Sequence, residues 1–508
     1  MTGREWWAGA ILLCLSCTAR AFDYKAVVAQ AQALARAPAR KAANPVSQGG
    51  GHWIRIGGLG DGRTLWVRGT GPLMVTRLGG AARTVRCARV RVITGGPDPA
   101  VLLALHGAYF SARPAGGPAG TRAALLWPAA GAPFTHLWVG TGAASLRVYG
   151  LLAGPAATGA VRLIVRAKAG VSMAVRMTVF VRNARKISGF FPLRSMYWYG
   201  RANHVPAQAL YPAAHDADGV LVQTAAHAIW QPLADPWRVR TVRLARRSAH
   251  AFGLLQRDRA FNHYESLQAR YQDRPSVWVV LRAPVTGHVL LREAPWCQQR
   301  NIVVYWHPPR RVVSAVFAAQ STLYWGRRRH RHRGRVMATL MGGDAASGDF
   351  KYVIEYQGGR LDRLPVSAVR AHVAVVPHTT VVEDRLERNP YTGGFRQVIQ
   401  VAPAARRVLH LRAWLSAAGR VVSEIWQYQA AARNDRTGAP LRAHPKAPAL
   451  YTARASRYAP MPDGRFPPKG GEPFLIHGSC RGSHEQGKAA AREPARPGAA
   501  RCHRGPGP

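Results

Sequence analysis

The sequence predicts an all-β protein, a large N-terminal β-sandwich followed by a small one. Three observations carry that prediction. Apolar residues recur with a period of two along most of the chain, and clusters of Gly, Pro, Asn and Asp interrupt them at short intervals. A single dense Arg/His run, from Arg327 to Arg335, then divides the pattern into a long part and a short part. The 508 residues exceed one ordinary domain, and a hydrophobic share of 47% is ample for two cores.

Residues 1–21 read as a secretion signal. Arg4 supplies a charged start, offset in part by Glu5, and Ala8 to Cys17 is an apolar stretch too short to span a bilayer. Ala19-Arg20-Ala21 offers an A-x-A cleavage site, so the mature chain is expected to begin at Phe22. Cys17 could suggest a lipoprotein, but Cys14 stands where a lipobox wants Leu, which favours a soluble exported protein. No other segment is long and apolar enough to cross a membrane, so the chain is not expected to span one.

Phe22 to Ala37, rich in Ala and Gln with Asp23 at its start, predicts one short helix. A loop follows around Pro45 to Gly51. The clearest strand sets Val171, Met173, Val175, Met177, Val179 and Val181 on one face and Ser172, Ala174, Arg176, Thr178, Phe180 and Arg182 on the other. Further strands are expected at Leu146–Leu151, Val161–Arg166, Val277–Leu281, Val289–Glu293 and Ile302–Trp306. Beyond the basic run they resume at Phe350–Tyr356, His372–Val376, Gln397–Val401, Leu409–Leu415 and Val421–Tyr428. Roughly ninety residues with about seven short strands fit an immunoglobulin-like sandwich. The expected organisation is a large sandwich over 22–328, a basic linker over 329–335, an immunoglobulin-like domain over 336–430, and a tail over 431–508. The tail's Pro, Gly and Arg content offers too little apolar surface to offset ordering entropy, which predicts disorder there.

The net charge of +47 raises nucleic acid or an anionic polymer as a partner. The basic residues are nearly all Arg and scatter through Ala, Gly, Pro and Val-rich sequence instead of concentrating on one element, so no nucleic-acid partner is expected. Gly57, Gly58, Gly60 and Gly62 precede strand-like Thr64-Leu65-Trp66-Val67, which predicts a hairpin turn, because a phosphate loop needs a helix to follow. His330 and His332 sit among arginines that oppose a bound cation. Cys87, Cys297, Cys480 and Cys502 lie far apart without metal-site spacing, and no G-x-S-x-G or H-E-x-x-H element occurs. No metal or cofactor is expected.

The segment from Ala251 to Val279 is long, polar and aromatic, too irregular for one strand or one amphipathic helix. Two readings stay open: a binding-site wall, or an ordinary connection between strands. Its residues Phe252-Gly-Leu-Leu-Gln-Arg-Asp-Arg-Ala-Phe261 and Arg270-Tyr-Gln-Asp-Arg-Pro-Ser-Val-Trp278 closely resemble those of the osmoregulated periplasmic glucan biosynthesis proteins G and D. Gly107-Ala108-Tyr109-Phe110, His215-Asp216-Ala217-Asp218-Gly219, Ile229-Trp230-Gln231-Pro232-Leu233, Asn301-Ile302-Val303-Val304-Tyr305-Trp306 and Arg388-Asn389-Pro390-Tyr391-Thr392-Gly393-Gly394 follow in that family's order. The resemblance spans about Phe22 to Tyr428.

The resemblance implies a large sandwich of the type found in galactose mutarotases and a small immunoglobulin-like domain. It also implies a periplasmic location, a groove for the β-1,2-linked glucan backbone, and the inner-membrane glucan synthase as a possible partner. Substrate-binding residues would be Asp216, Trp230, Tyr264, Tyr271, Arg274 and Tyr305. A signal without twin arginines favours the G branch. The family's groove is acidic, however, and this chain departs from it. Trp127, His136, Gly140 and His227 or Ala228 align with acids of the pattern, and Arg300 replaces the Asp before N-I-V-x-Y-W.

Three functions follow as expectations. The first is a protein that binds nascent β-glucan without cleaving it. The second is a β-1,2-glucan hydrolase or transglycosylase, for which Asp216 could supply one of the two groups that glycoside cleavage needs, the other being missing at Arg300. The third is a basic scaffold for anionic envelope polymers. Export is checked by mass spectrometry of a periplasmic extract, which is expected to find a mature N-terminus at Phe22; a cytosolic protein retaining Met1 would contradict it.

Overall fold

The computed structural model describes residues 22–38 and 52–430, apart from residues 61, 79–83, 96–97, 143, 204–208, 237, 246–248, 283–285, 296–299, 310–314, 328–333, 344–346 and 403–407. The expected signal, most of the expected linker and the expected tail lie outside the described residues, as do Cys297, Cys480 and Cys502.

The expected helix forms over Tyr24–Arg36, and the Asp23 side chain caps it by accepting the Ala26 N–H at 3.0 Å. Tyr24, Val27 and Ala31, three and four residues apart, are its buried stripe. They pack on Tyr149, Leu151, Ala160 and Phe180, on the outward side of three strands. Thr158 Oγ1 donates to the Ala31 carbonyl at 2.7 Å and fixes the helix along its length.

Those strands are Ser145–Ala153, Ala157–Ala167 and Val171–Val181. The last two pair without a break from Ala157 opposite Val181 to Ala167 opposite Val171. The alternation expected in Val171–Val181 is present: Val171, Met173, Val175, Met177 and Val179 are buried in the core. Phe180, on the opposite side, is buried because the helix covers it.

One ribbon of hydrogen-bonded strands builds the larger part. It begins at Arg240–Ala245 and runs through His288–Glu293, Ile302–His307 and Gly189–Ser195 to the short pieces Arg122–Ala123 and Leu126–Trp127. It continues through Tyr109–Arg113, Val101–His106 and Thr84–Ile93 to Arg63–Arg77. This 15-residue strand is irregular between Arg68 and Leu73, and its second half pairs in parallel with Phe134–Gly142. From there the ribbon proceeds through the three strands under the helix to Val316–Gly326, Ser276–Leu281, Ala249–Leu255, Gly219–Thr224 and Ala228–Pro232. Leu105, Phe110, Leu193, Val304 and Trp306 from the first half share one core with Val148, Leu163, Val175, Val279 and Leu323 from the second. Two sheet halves enclosing one core make a sandwich. The glycine-rich stretch is a hairpin, as expected, with Trp53–Gly60 antiparallel to Arg63–Arg77 and Gly62 at φ 75°, a value glycine adopts without strain.

A second core continues from this edge. Ala228–Pro232 pairs in parallel with Ile425–Ala430 through Ile229–Ile425 and Trp230–Trp426. Leu409–Ala417 and Arg370–Val376 extend that sheet. Arg335–Gly343, Phe350–Gln357, Phe395–Val401 and Val381–Arg388 form a separate four-stranded sheet. Tyr352, Ile354, Phe395, Leu411 and Trp426 pack between them, together with Leu221, Trp230 and Trp278 from before the expected linker.

The expected strand Val421–Tyr428 is broken into Arg420–Val421 and Ile425–Ala430. The break turns Glu424 inward, where its two oxygens accept both terminal nitrogens of Arg257 at 2.7 Å and the Val336 N–H at 3.0 Å. Both side chains are almost fully buried, and the Arg257 guanidinium also lies 3.7 Å from the centroid of the Trp230 ring. Among the described residues no helix is long and apolar enough to cross a membrane.

Breaking a buried pair strands the surviving charge. Arg257→Met is therefore expected to cost about 3–5 kcal/mol in urea unfolding, and Arg257→Met with Glu424→Gln to recover part of that loss. Equal stability of the native chain and the single variant would show that the pair does not hold the second core.

Candidate functional site

The strand Ile302–His307 turns Ile302, Val304 and Trp306 into the first core, so Val303 and Tyr305 face the other way. Residues directly opposite in a sheet share a face. Arg194 and Arg292 flank Val303 on its two neighbouring strands, and Arg122 stands opposite Arg194 one strand further on. A row Arg122–Arg194–Val303–Arg292 thus crosses the sheet on the side away from the core. Two arginines in directly opposite positions are electrostatically unfavourable on their own account.

Next along this face, Tyr305 lies 6.2 Å from Trp127, ring centroid to centroid, at an interplanar angle of 30°. Gly189, paired with Trp127, makes room for that arrangement: a side chain there would overlap the Tyr305 ring and the Trp306 carbonyl. Burial holds the Tyr305 phenol above its ordinary range, moderated by Arg292.

Loops complete the site at one end of the row. Arg274 Nε lies 3.5 Å from Asp216 Oδ1, donates to the Ala269 carbonyl at 3.1 Å and stands over the Tyr271 ring. Arg300 donates to the Gly120 carbonyl at 3.4 Å, and its own carbonyl accepts from Arg194 Nε at 3.2 Å. Gly120 is also the point where Arg274 packs, its aliphatic carbons 3.7 Å from where a Cβ would stand. Arg194 Nη1 reaches the Tyr109 hydroxyl at 3.4 Å. Burial pulls the Arg300 guanidinium below its ordinary range; Asp216 opposes that shift, while Arg194 and Arg274 add to it. The Arg300 backbone has φ 54°, the left-handed region, which costs a non-glycine residue about 1 kcal/mol or more.

Behind Asp216 is a buried polar network. The Tyr197 ring stacks on His215 at 5.0 Å, and Tyr264 meets His215 edge-on at 5.1 Å. Gln256 Nε2 donates to the Tyr264 hydroxyl at 2.8 Å, which lies 3.3 Å from Asp218 Oδ1. Asp218 Oδ2 accepts the N–H groups of Arg257 and Asp258. Burial holds His215 below the usual imidazole range although Asp218 and Asp258 oppose it. It also holds the Asp218 carboxyl above the usual range although His215 opposes it.

Of the residues singled out from the sequence, Asp216, Tyr271, Arg274 and Arg300 are brought together. Tyr264 is buried behind them, only 1% exposed, as part of the network. Tyr305 lies further along the same sheet face. Trp230 is elsewhere, in the second core beneath Arg257. The segment 251–279 is both things the sequence left open: it connects two paired strands, Ala249–Leu255 and Ser276–Leu281, and its loop carries Tyr264, Tyr271 and Arg274 to the site. Sequence reasoning missed Tyr109, Arg122, Arg194, Arg292 and Asp218. The arginines were signalled only by polar positions alternating with core residues, a pattern shared by every solvated strand face.

The described residues thus form an all-β sandwich with a basic and aromatic sheet face, ended by the buried carboxylate of Asp216 beside arginines. Residues 131–430 match the family described as periplasmic glucan biosynthesis protein, MdoG, and the chain belongs to that family. It is 32% identical over 316 residues to glucans biosynthesis protein D 2 of Ralstonia nicotianae, a match covering 58% of each chain. It is 31% identical over 314 residues to glucans biosynthesis protein G of Shewanella frigidimarina, over 58% of this chain and 55% of that protein. The chain thus matches less than two thirds of the length of either relative.

The His215 network gives a pH prediction. A folded imidazole held below its usual value of 6.5 binds protons less readily than the unfolded one, so its contribution to stability is lost as pH falls through that value. Between about pH 7 and pH 5, His215→Gln is expected to flatten the fall in unfolding free energy relative to the native chain. An unchanged pH profile would contradict this.

Proposed function

We propose that this chain is a periplasmic protein of osmoregulated periplasmic glucan biosynthesis that binds a β-1,2-linked glucan on the Tyr109–Arg194–Tyr305 sheet face and does not cleave it. The family and the two named relatives support the pathway. The aromatic rings of Tyr109, Trp127, Tyr271 and Tyr305 beside hydrogen-bonding arginines suit sugar rings and hydroxyls. The proposed organisation keeps residues 22–328 as the glucan-binding part and 336–430 as an immunoglobulin-like part.

One observation carries the non-catalytic reading. Arg300 stands beside Asp216, where the resembling pattern has an acid, and Arg274 already engages that carboxylate at 3.5 Å. Glycoside cleavage needs a proton donor for the leaving oxygen and a second group for water or the sugar. A guanidinium with a solution pKa above roughly 12 stays a cation and is not a useful donor. A hydrolase reading has one observation in its favour: Asp218, held above its ordinary range, is a carboxyl able to carry a proton.

Purified protein with linear β-1,2-glucan separates the two. Saturable binding with no new reducing ends is expected from the native chain, and Arg300→Asp, which restores the carboxyl, is expected to release product. Robust release by the native chain, abolished in Asp218→Asn, would replace this reading with the hydrolase.

A further inference from the structure

We infer that the free edge of the strand Arg370–Val376 takes one more strand, an extended peptide of a partner protein whose side chains alternate between apolar and acidic. This inference uses no residue of the Tyr109–Arg194–Tyr305 sheet face and does not rest on the glucan reading.

The backbone N–H and C=O groups along the outer side of a terminal strand have no ladder partner, and such a strand is a template for another. Arg370–Val376 is terminal in its sheet. Among the described residues it pairs with Leu409–Ala417 alone, in seven antiparallel pairs from Arg370–Ser416 to Val376–His410, with no register shift. Natural edges are commonly blunted by charge, proline or a bulge. The strand Val381–Arg388, at the edge of the four-stranded sheet, shows two of these devices. Glu383, Asp384, Arg385, Glu387 and Arg388 charge it, and its register shifts between Val381 and Glu383. Arg370–Val376 is instead regular, with no Asp, Glu, Lys, Arg or Pro from Ala371 to Val376. Its Ala374 is exposed, and Val376 is 63% exposed.

The two faces of the strand state what an added one would carry. Ala371, Val373 and Val375 pack against the second core, opposite Leu415, Ala413 and Leu411. Apolar side chains on the added strand would extend that layer. The alternate residues turn the other way with their cross-strand partners: Arg370 with Ser416, His372 with Trp414, Ala374 with Arg412 and Val376 with His410. Gln427 and Gln429 continue this face beyond Arg412 and His410. Arg370, Arg412 and His410 are exposed, and no acidic residue stands among these positions. Opposite charges across strands stabilise a sheet and like charges oppose it, so the outward side chains of the added strand are acidic. The face is also held in shape: the His372 ring stacks on Trp414 at 5.1 Å and 6°, with its Nε2 2.7 Å from Ser416 Oγ.

A second copy of this chain fits the edge less well. Pairing Arg370–Val376 with itself would join two basic faces into one, with no acid to meet either. An acidic and apolar peptide answers both faces at once, and its main-chain hydrogen bonds complete the ladder.

The test titrates the purified full chain with a labelled nine-residue peptide of alternating valine and glutamate, followed by fluorescence polarisation at about 0.05 M and about 0.5 M salt. A valine–lysine peptide and the valine–glutamate peptide with methylated backbone amides are the controls. The glutamate peptide is expected to bind roughly ten-fold tighter than the lysine peptide at low salt, the sum of a few cross-strand charge pairs. That preference is expected to narrow at high salt and to reverse in Arg370→Glu with Arg412→Glu, both exposed positions, with cooperative unfolding confirming the fold. The methylated peptide is expected not to bind. Hydrogen exchange is expected to slow on binding over residues 370–376 and not over 381–388. No saturable binding of the glutamate peptide, or equal binding of its methylated form, would overturn the added strand. A preference unchanged in the folded double variant would overturn the assignment to this edge. A concentration-dependent dimer of the chain with residues 370–376 protected from exchange would replace the peptide with a second copy.

Discussion

The buried contact between Arg257 and Glu424 is the interaction on which the arrangement of both cores and the site depends. A carboxylate taken out of water needs its charge and lone pairs answered, and Glu424 is answered by both terminal nitrogens of Arg257 and by the Val336 N–H. Arg257 opens the loop that carries Tyr264, Tyr271 and Arg274. One end of that loop is therefore fixed by the second core, and the other by the strand Ser276–Leu281 of the first. The parallel pairing of Trp230 with Trp426 runs beside the same contact. The loop is long but not slack: Gln256 reaches both Tyr264 and the Tyr271 carbonyl, and Arg259 donates to the carbonyls of Gln272 and Arg274. A site whose side chains come from a loop needs such internal bonding to hold its geometry.

The sheet face beside this loop shows how charge is distributed in a chain of +47. Some strand arginines are well exposed, Arg86 and Arg147 among them, and water screens such charges. The Arg194, Arg274 and Arg300 group differs because loops and strands converge there, so the charges are close and partly desolvated. Net charge is a property of composition, whereas a cationic site is a property of convergence.

Trp230 and Tyr264 illustrate why aromatic residues mislead when a site is sought in sequence. Both stand in the segments that resemble the glucan biosynthesis family, and both are large rings with a polar atom. One fills the second core under a guanidinium, and the other anchors a hydrogen-bond network around Asp218. Residue type and neighbourhood in the chain were the same evidence for each, and neither reports which side of a layer a ring faces.

Local pattern by itself determined the all-β class, the short helix capped by Asp23, the glycine hairpin and the strand Val171–Val181 residue by residue. In each case the period of side-chain direction, the cap or the φ preference is a property of adjacent residues. Resemblance of short motifs further pointed to Asp216, Tyr271, Arg274 and Arg300. Tertiary structure alone decided that Arg122, Arg194 and Arg292 form a row, that the strand near Val421 breaks to bury Glu424, and that the second core draws on Leu221, Trp230 and Trp278. Those outcomes depend on strand order and register, which bring residues far apart in the chain into contact, as Arg257 and Glu424 are at a separation of 167. A period of two states which side a residue takes; only the pairing of strands states what it meets there.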